Sequence, residues 1–428
     1  MQIRSIGTIA VVSAIAVMSL GGVTRGAAHQ ASSRHPAPIA VDHSAPGRTR
    51  MPGLDLFAGR PPASGAGQAA AAAPAVPAQL LSEQVFKNVQ ALKGISAADF
   101  MGTMGIMSAS LGFDCSECHN AAGTDQVDWA HDTPRKVIAR RMVNMVTAIN
   151  RDNFGGRQMV TCWSCHRNRD KPLVTPNLDY VYGTPGLEPD DLVPASVPGL
   201  RPAVEIVDKY IQAIGGAPRL ASITSITATG TSVGFGGFGG GGAVQFYAKA
   251  PDQRTTVIEF KDAPGRDASI RSFDGKIGWI KTPLTVLGEY QVVGNELDGA
   301  RLDAQLTFPG QIKQVLTNLR TLQPATIDGK AVDVVQGNGP GRIFVTMFFD
   351  KQTGYIVRTV RYAASPIGRM PTQVDYSDYR DVGGVKIPFK YTFAWLDGRD
   401  AFQLNDVKVN LPIDVAKFGK PTSLESKR

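Results

Sequence analysis

The sequence predicts a multidomain α + β protein, in which a small helical domain precedes a mostly antiparallel β-sheet domain that carries two helices. Three observations support this fold class. Residues 80–170 have apolar residues at helical spacing between helix-capping residues. Residues 171–202 contain seven prolines and no periodic pattern, which indicates a linker. Residues 203–428 consist largely of strand sequence broken by turn residues.

The first part of the chain is predicted to lie outside both domains. Residues 1–28 are typical of an export signal, because Arg4 is followed by an apolar run and by small residues at 26–28. An uncleaved membrane anchor is the alternative. Residues 29–79 are rich in Ala, Pro, Gly and Ser, and we expect a disordered tether. No cysteine precedes Cys115, which excludes a lipid-anchored cysteine, and we expect the protein in the periplasm or elsewhere outside the cytoplasmic membrane.

Three helices are predicted in the domain at 80–170. The first, in "LSEQVFKNVQALKG", has an apolar face formed by Val85, Val89 and Leu92. The second begins after Ser96 and ends at Gly112. The third begins with Thr133 as N-cap and Pro134 at the first helical position.

The domain at 203–428 combines two predicted helices with β-hairpins. The helices are "VEIVDKYIQAIGG" and "PGQIKQVLTNLR", and the first has an apolar face formed by Val204, Val207, Ile211 and Ile214. Hairpins are predicted to turn at Pro251-Asp252, between Asp350 and Gly354, and at Gly383-Gly384. Because no helices separate these strands, the sheet should be mostly antiparallel. No histidine follows His166, which excludes a Ser/His/Asp triad from this domain.

All four cysteines of the chain belong to two CxxCH motifs. The motif residues are Cys115, Cys118 and His119, and then Cys162, Cys165 and His166. CxxCH is the attachment pattern of c-type haem, in which two thiols bind the porphyrin edge and the adjacent His binds the iron. The sequence therefore predicts a small dihaem c-type cytochrome domain with two covalently attached haems. A four-cysteine zinc site and two disulfides are alternatives, but neither explains the His after each pair.

Each iron needs a sixth ligand or an open position for chemistry. Of the six histidines, two are in the motifs and three are in the predicted tether, which leaves His131. Two bis-His haems are therefore not expected. Methionines recur on the second and third predicted helices, where they are either core residues or ligands. Gly102 and Gly105 favour the ligand role, because small residues let a flat ring approach the helix closely.

The segments "NVQALKGISAADFMGTMG", "RRMVNMVTAIN" and "VTCWSCHR" make residues 84–170 similar to the cytochrome c subunit of photosynthetic reaction centres. In that family, a helix with an axial Met precedes each CxxCH motif. The resemblance implies His/Met ligation, with Met104 paired to His119 and Met142 paired to His166. The family carries four haems and this chain has two motifs. The resemblance therefore implies haem binding and electron transfer, and gives little support to a photosynthetic role.

The basic residues are concentrated beside the second motif. Residues 131–171 contain nine Lys or Arg, three Asp and no Glu, a net charge of +6. This stretch is either a solvated helix face or a site for anionic groups on a cofactor or partner. Arg140 and Arg141 are candidates for pairing with haem propionates, and simple exposure is the alternative. No nucleic-acid motif accompanies the basic residues, so DNA or RNA binding is not expected.

The segments "KYIQAIGG", "FDGKIGWI", "FDKQTGYIVRT" and "DYSDYRDVGGVKIPF" resemble the lipoprotein-carrier fold, a curved antiparallel sheet with helices across its open side. This resemblance implies a concave apolar surface for a lipid-like ligand or a partner protein, and a purely structural fusion is the alternative.

Three functions therefore remain open. The first is an exported dihaem electron carrier that serves redox partner proteins, either soluble or membrane-bound, and is not itself an enzyme. The second is a dihaem peroxidase-like enzyme, which needs an open iron position. The third is a redox-linked binding protein whose β domain holds an apolar ligand.

Overall fold

The computed structural model describes residues 80–124, 126–172, 174–176, 198–235, 240–260, 268–282, 287–341 and 343–421. The predicted export signal, the tether and most of the predicted linker lie outside these ranges. The described residues belong to one compact unit, Ala75–Arg428. Within the described ranges, no helix has the length and hydropathy that crossing a membrane requires.

The helical segment comes first in the described chain. Its helices are α1 (Ser82–Val85), α2 (Ala97–Leu111), α3 (Pro134–Phe154) and α4 (Cys162–His166), with a short 3-10 turn at Cys115–Glu117.

The ends of α2 and α3 follow the predicted capping residues. Ser96 caps α2, and Gly112 ends it in the left-handed region at φ 69°. Thr133 caps α3, Pro134 occupies its first turn, and Gly155 ends it at φ 60°. Both helix predictions are confirmed.

The predicted helix over "LSEQVFKNVQALKG" is wrong beyond Val85, because side chains in α1 bind the backbone of the following loop. The hydroxyl of Ser82 donates to the carbonyl of Leu92 at 2.8 Å, and the backbone N–H of Gly94 donates to the Glu83 carboxylate at 2.9 Å. These bonds fold the chain back on itself and end the helix after one turn.

The β domain contains four helices and thirteen strands within the described residues. The helices are α5 (Ala203–Ala213), α6 (Ala217–Ala221), α7 (Gly294–Leu306) and α8 (Ile312–Val315). The first six strands are β1 (Ser225–Phe235), β2 (Gly240–Lys249), β3 (Gln253–Phe260), β4 (Ser269–Phe273), β5 (Gly278–Lys281) and β6 (Glu289–Val292). The others are β7 (Thr317–Ile327), β8 (Lys330–Asn338), β9 (Phe344–Asp350), β10 (Ile356–Ser365), β11 (Gly368–Val382), β12 (Val385–Trp395) and β13 (Gly398–Val409).

The strands form one open, curved, antiparallel sheet. Their order is β6-β5-β4-β3-β2-β1-β13-β12-β11-β10-β9-β8-β7, so that the first and last strands of the domain are neighbours. The three predicted hairpins are present as β2–β3, β9–β10 and β11–β12. The predicted fold class, helices followed by a curved antiparallel sheet with helices, is confirmed.

The helices of the β domain depart from prediction in three places. Val204, predicted to face the core, is exposed, while the rest of the predicted apolar face of α5 is buried. The helix predicted in "PGQIKQVLTNLR" ends at Val315, and β7 begins at Thr317, because the residues that follow pair with β8. The helices α6 and α7 were not predicted, since α6 has only five residues and the sequence of α7 has only a weak apolar stripe.

Two of the four hydrophobic clusters in the described residues pack helices against the sheet. The larger core packs α5–α8 against the sheet, and its most deeply buried residues include Val207, Ile214, Leu302, Ile312 and Phe349. The smaller core joins the helical segment to the sheet. There Ile367, at the turn between β10 and β11, is 0% exposed and packs with Ile106 of α2 and Val143 of α3. The tip of the β10–β11 hairpin, where Ile367 lies, therefore holds α2 and α3 against the sheet.

Candidate haem-attachment site

The first CxxCH motif lies in a tight turn that is tied to the start of α3. The carboxylate of Asp114 accepts the backbone N–H of Ser116 at 2.8 Å and caps the 3-10 turn. The hydroxyl of Thr133 donates to the carbonyl of Cys118 at 3.0 Å. Cys115 is exposed, and Cys118 is half-buried. The same threonine therefore caps α3 and anchors the first motif.

The second CxxCH motif forms the short helix α4. Thr161 caps it by accepting the backbone N–H of Ser164, whose hydroxyl in turn accepts the N–H of Thr161. The backbone N–H of Arg169 donates to the carbonyl of Ser110 at 3.2 Å, which joins the end of α4 to the end of α2. Gly112 lies against the same segment, where a Cβ would be only 2.9 Å from the Asn168 amide oxygen. The second motif is therefore held against α2.

The ring of His166 is oriented by the backbone. Its Nδ1 lies 3.0 Å from the carbonyl oxygen of Arg169. A proton on Nδ1 makes this hydrogen bond and leaves the lone pair of Nε2 available to a metal. Histidines that bind metals commonly use this arrangement.

The ring of His119 is held in a different environment. Its Nδ1 is buried and has no hydrogen-bond partner among the described residues. Burial and then the charge of Lys136 lower the pKa of His119, while the nearby Trp129 backbone acts weakly in the opposite direction. The indole of Trp129 meets the ring edge-on at 5.0 Å. This environment favours the neutral imidazole, which is the form that binds a metal.

The thiols are arranged as two separate pairs. The structure has no disulfide among the four cysteines. Burial raises the pKa of Cys115, Cys118 and Cys162, and Asp397 adds to the effect at Cys115. Across the described residues, no three His, Cys, Asp or Glu side chains form a group that could hold a metal ion. A zinc site shared by the four cysteines would need their thiols to converge on one ion, and they do not converge in this structure.

The helix α3 has two apolar stripes, and only one of them is covered by protein. Val143 and Val146 are buried on the packed stripe. The other stripe has Ile138, Met142, Met145 and Ile149 at spacings of four, three and four residues. Ile138 is 54% exposed and Met145 is 42% exposed, while Met142 is half-buried between them. An exposed apolar stripe on a helix that contacts α4 is a surface that a bound haem could cover.

The glycines of α2 do not have the predicted role. A Cβ at Gly102 would lie 2.4 Å from the sulfur of Met370, and one at Gly105 would lie 3.4 Å from Leu396. These glycines let the β domain approach α2, so they give no support to a haem at this face. Met104 is half-buried and lies on a different face of the helix, because it is two positions from Gly102.

Arg140 and Arg141, the two residues predicted to pair with haem propionates, differ in whether the protein already binds them. The guanidinium of Arg140 is 2.7 Å from the carboxylate of Asp132 and 3.3 Å from the carbonyl oxygen of Asn88, so it already binds within the protein. Arg141 is exposed. The exposed arginine is thus the better candidate for an anionic group outside the protein.

Sequence reasoning missed Asn150, which positions the second motif. This residue is 7% exposed on the packed stripe of α3. Its amide oxygen accepts the backbone N–H groups of Met159 and Val160, each at 2.9 Å, and its amide nitrogen donates to the carbonyl of Val160 at 2.7 Å. The available signal was a lone amide at a helical position otherwise occupied by valines.

Replacing Asn150 with alanine is expected to lower the free energy of unfolding by about 1–3 kcal/mol, since buried backbone groups lose their partners. Urea denaturation measures the change. Asn153→Ala is the matched control, because Asn153 is exposed on the same helix and bonds only the Ile149 carbonyl. Equal stability of the two variants would contradict the role of Asn150.

One stretch of the chain matches a known family. Residues 63–176 match the family model of the photosynthetic reaction centre cytochrome C subunit. The photosynthetic reaction center cytochrome c subunit of Thermochromatium tepidum is 34% identical over 96 residues, which are 21% of this chain and 22% of that protein. The chain thus spans about a fifth of the length of this curated relative.

Two solved structures each match about half of the chain. A DUF1329 family protein from Desulfovibrio piger has a TM-score of 0.36 and 12% identity over 51% of this chain and 98% of its own. A LolA superfamily protein from Nitrosomonas europaea has a TM-score of 0.34 and 13% identity over 52% of this chain and 99% of its own.

Proposed function

We propose that the chain is an exported dihaem c-type cytochrome that carries electrons between redox partner proteins. Residues 80–170 are the proposed electron-transfer domain. The thiols that attach the two haems are Cys115 with Cys118 and Cys162 with Cys165. The proposed axial ligand pairs are His119 with Met104 and His166 with Met142.

One observation carries this proposal most strongly. At the second motif, both cysteines lie on one short capped helix, and the Nδ1 of His166 is bound to the Arg169 carbonyl. This hydrogen bond is the kind that fixes the tautomer of a metal-binding histidine. A disulfide gives His166 no metal to bind, and neither does a zinc site made of the four cysteines alone.

A bound c-type haem supplies one-electron transfer at its iron. The protein supplies attachment, orientation and exclusion of water. The cysteines hold the ring edge, and the apolar stripe at Ile138, Met142 and Met145 is suited to keep water from one face. If Met104 and Met142 were the sixth ligands, neither iron would keep an open position, which would favour an electron carrier over a peroxidase-like enzyme.

The proposed location follows from the cofactor, because c-type haem is attached outside the cytoplasm. The proposed arrangement is an export signal at residues 1–28, a tether at 29–79 and a linker at 171–202. The basic stretch at 131–171 is the proposed contact for an anionic surface on a soluble or membrane-bound redox partner.

The test is the mass and reduced absorption spectrum of the protein exported from a host that attaches c-type haem. We expect an added mass of two haems and sharp low-spin bands. Replacing Cys162 and Cys165 together with serine should remove one haem, and the same change at Cys115 and Cys118 should remove the other. No added mass would overturn the proposal, while high-spin iron that reacts rapidly with peroxide would favour the peroxidase-like alternative.

A second proposed role is the binding of an apolar ligand by the β domain. It is favoured by a cavity of about 180 Å³ between the sheet and α5–α8, lined by apolar residues that include Phe246, Leu302, Phe308 and Met347. Lipid that co-purifies with the full-length protein would support this role.

A further inference from the structure

A larger cavity lies where the helical segment meets the β domain. Its volume is about 360 Å³, within the usual range for small-molecule sites. The helix α2 forms one wall through Ala98, Asp99, Met101, Gly102 and Gly105. The opposite walls are rich in aromatic residues, namely Phe273, Trp279, Tyr391, Phe393, Trp395 and Phe402. We call this space the α2 cavity.

Asp400 of β13 lines the α2 cavity and is 1% exposed. Both of its carboxylate oxygens are buried and lack a hydrogen-bond partner among the described residues. The hydroxyl of Ser232 and the backbone of Val233 lie nearby and favour the charged form, but neither bonds it in good geometry. Burial is the larger influence and raises the pKa of Asp400 to about 7. A buried carboxyl without a partner is costly unless a ligand satisfies it.

The charges that line the α2 cavity are unbalanced. Five carboxyl groups face three guanidinium groups within the described residues: Asp99, Glu296, Asp303, Asp397 and Asp400 against Arg254, Arg271 and Arg361. Asp303 is already paired with Arg361, at 3.1 Å. Glu296 accepts the hydroxyl of Tyr290 at 3.3 Å, and burial raises its pKa. The excess of carboxyl groups, among aromatic faces that attract cations, favours a positively charged ligand.

We infer that the α2 cavity binds an amphiphile with an apolar body and a protonated amine head, with the amine on Asp400 and the body against the aromatic walls. Arg254, Asp303 and Tyr391 line both this cavity and the smaller one beside α5–α8. The inference therefore rests on the second proposed role, the binding of an apolar ligand, and names the head group. It does not depend on haem attachment. Because α2 forms one wall, such a ligand would contact both the helical segment and the β domain.

The test is calorimetric titration of the full-length, haem-loaded protein with dodecylamine, dodecanol and dodecanoate below their micelle concentrations. At pH 8 we expect dodecylamine to bind most tightly. Asp400→Asn should weaken the binding of dodecylamine by about 10- to 100-fold, as expected for the loss of a charge-assisted hydrogen bond. The affinity for dodecanol should stay the same. Asp406→Asn is the matched control, since Asp406 is an exposed residue of the same strand.

The pH dependence supplies a second readout. The charged or titratable groups that face Asp400 are Arg271 of β4 and Tyr391 of β12. The amine requires ionised Asp400, so its affinity should fall by roughly tenfold for each pH unit below the carboxyl pKa. A neutral alcohol should bind without this dependence.

Folding of the Asn variant is checked through its stability. The pKa of Asp400 is raised from 3.8 to about 7 on folding. The folded state therefore holds the proton more tightly, and this contribution to stability is lost as the pH rises through about 7. At pH 8, Asp400→Asn should melt at or above the temperature of the unchanged protein.

Three outcomes would overturn the amine proposal. If dodecanol binds as tightly as dodecylamine and Asp400→Asn leaves the amine unaffected, the β domain binds apolar ligands without selecting an amine. Preferential binding of dodecanoate would mean that the arginines set the specificity. If no probe binds, both the amine proposal and the second proposed role fail.

Discussion

Replacing Ile367 with alanine is expected to lower the free energy of unfolding by about 2–5 kcal/mol, the usual cost of truncating a fully buried isoleucine. The side chain lies at the tip of the β10–β11 hairpin and packs between Ile106 of α2 and Val143 of α3. Its loss leaves a cavity at the junction of the helical segment and the sheet. Urea denaturation measures the stability, and hydrogen exchange should show α2–α4 opening before the strands.

Ile277→Ala is the control for this prediction, because Ile277 is a partly exposed isoleucine of the β domain. Truncating Ile277 should lower the free energy of unfolding much less than truncating Ile367. If the two variants lose the same stability, or if exchange in α2–α4 is unchanged in Ile367→Ala, the hairpin tip does not hold the helical segment.

If Met142 is the proposed ligand of the second of two haems, replacing it with alanine should change the spin state of that haem and leave the other unaffected. Both haems should stay attached, because the cysteines are intact, so the protein mass should fall only by the difference in side chains. A thioether ligand raises the reduction potential in cytochromes c. The haem that loses this ligand should therefore have a lower potential. Absorption spectroscopy and a redox titration measure the two effects, and Met104→Ala should affect the other haem.

Met145→Ala is the matched control for this experiment. Met145 lies on the same stripe of α3, three positions along, and is more exposed. The Met145→Ala protein should retain two low-spin haems. Met142 is not the ligand if both haems stay low-spin in Met142→Ala, or if one haem ceases to be low-spin in Met145→Ala.

The sequence predicted those elements whose ends are set by local chemistry. Ser96 and Gly112 bound α2, and Thr133 begins α3, because caps act within a few residues of the chain. Gly383 and Gly384 turn the β11–β12 hairpin for the same reason. The candidate haem-attachment residues could also be identified from the sequence alone, since CxxCH is a contiguous pattern.

The features that sequence analysis missed depend on distant contacts. Gly102 seemed suited to a flat cofactor, but its neighbour is Met370, a residue of β11. Asn150 was not singled out because its partners lie in the loop before α4. Asp400 is an ordinary strand residue in sequence, and its environment is set by β1, β4 and β12. Such contacts follow from the tertiary packing of the sheet, which local patterns do not specify.

The pairing of β1 with β13 sets the order in which the protein can mature. The register joins Ile226 to Val409, so the middle of the sheet cannot close until almost the whole chain has been synthesised. The two CxxCH motifs precede β1, and α2 and α3 are built from local contacts, so they can form first. The cysteines are thus accessible to an attachment enzyme while the sheet is incomplete. Closure of the sheet and arrival of the β10–β11 hairpin would then complete the protein around segments that could already have received the proposed haems.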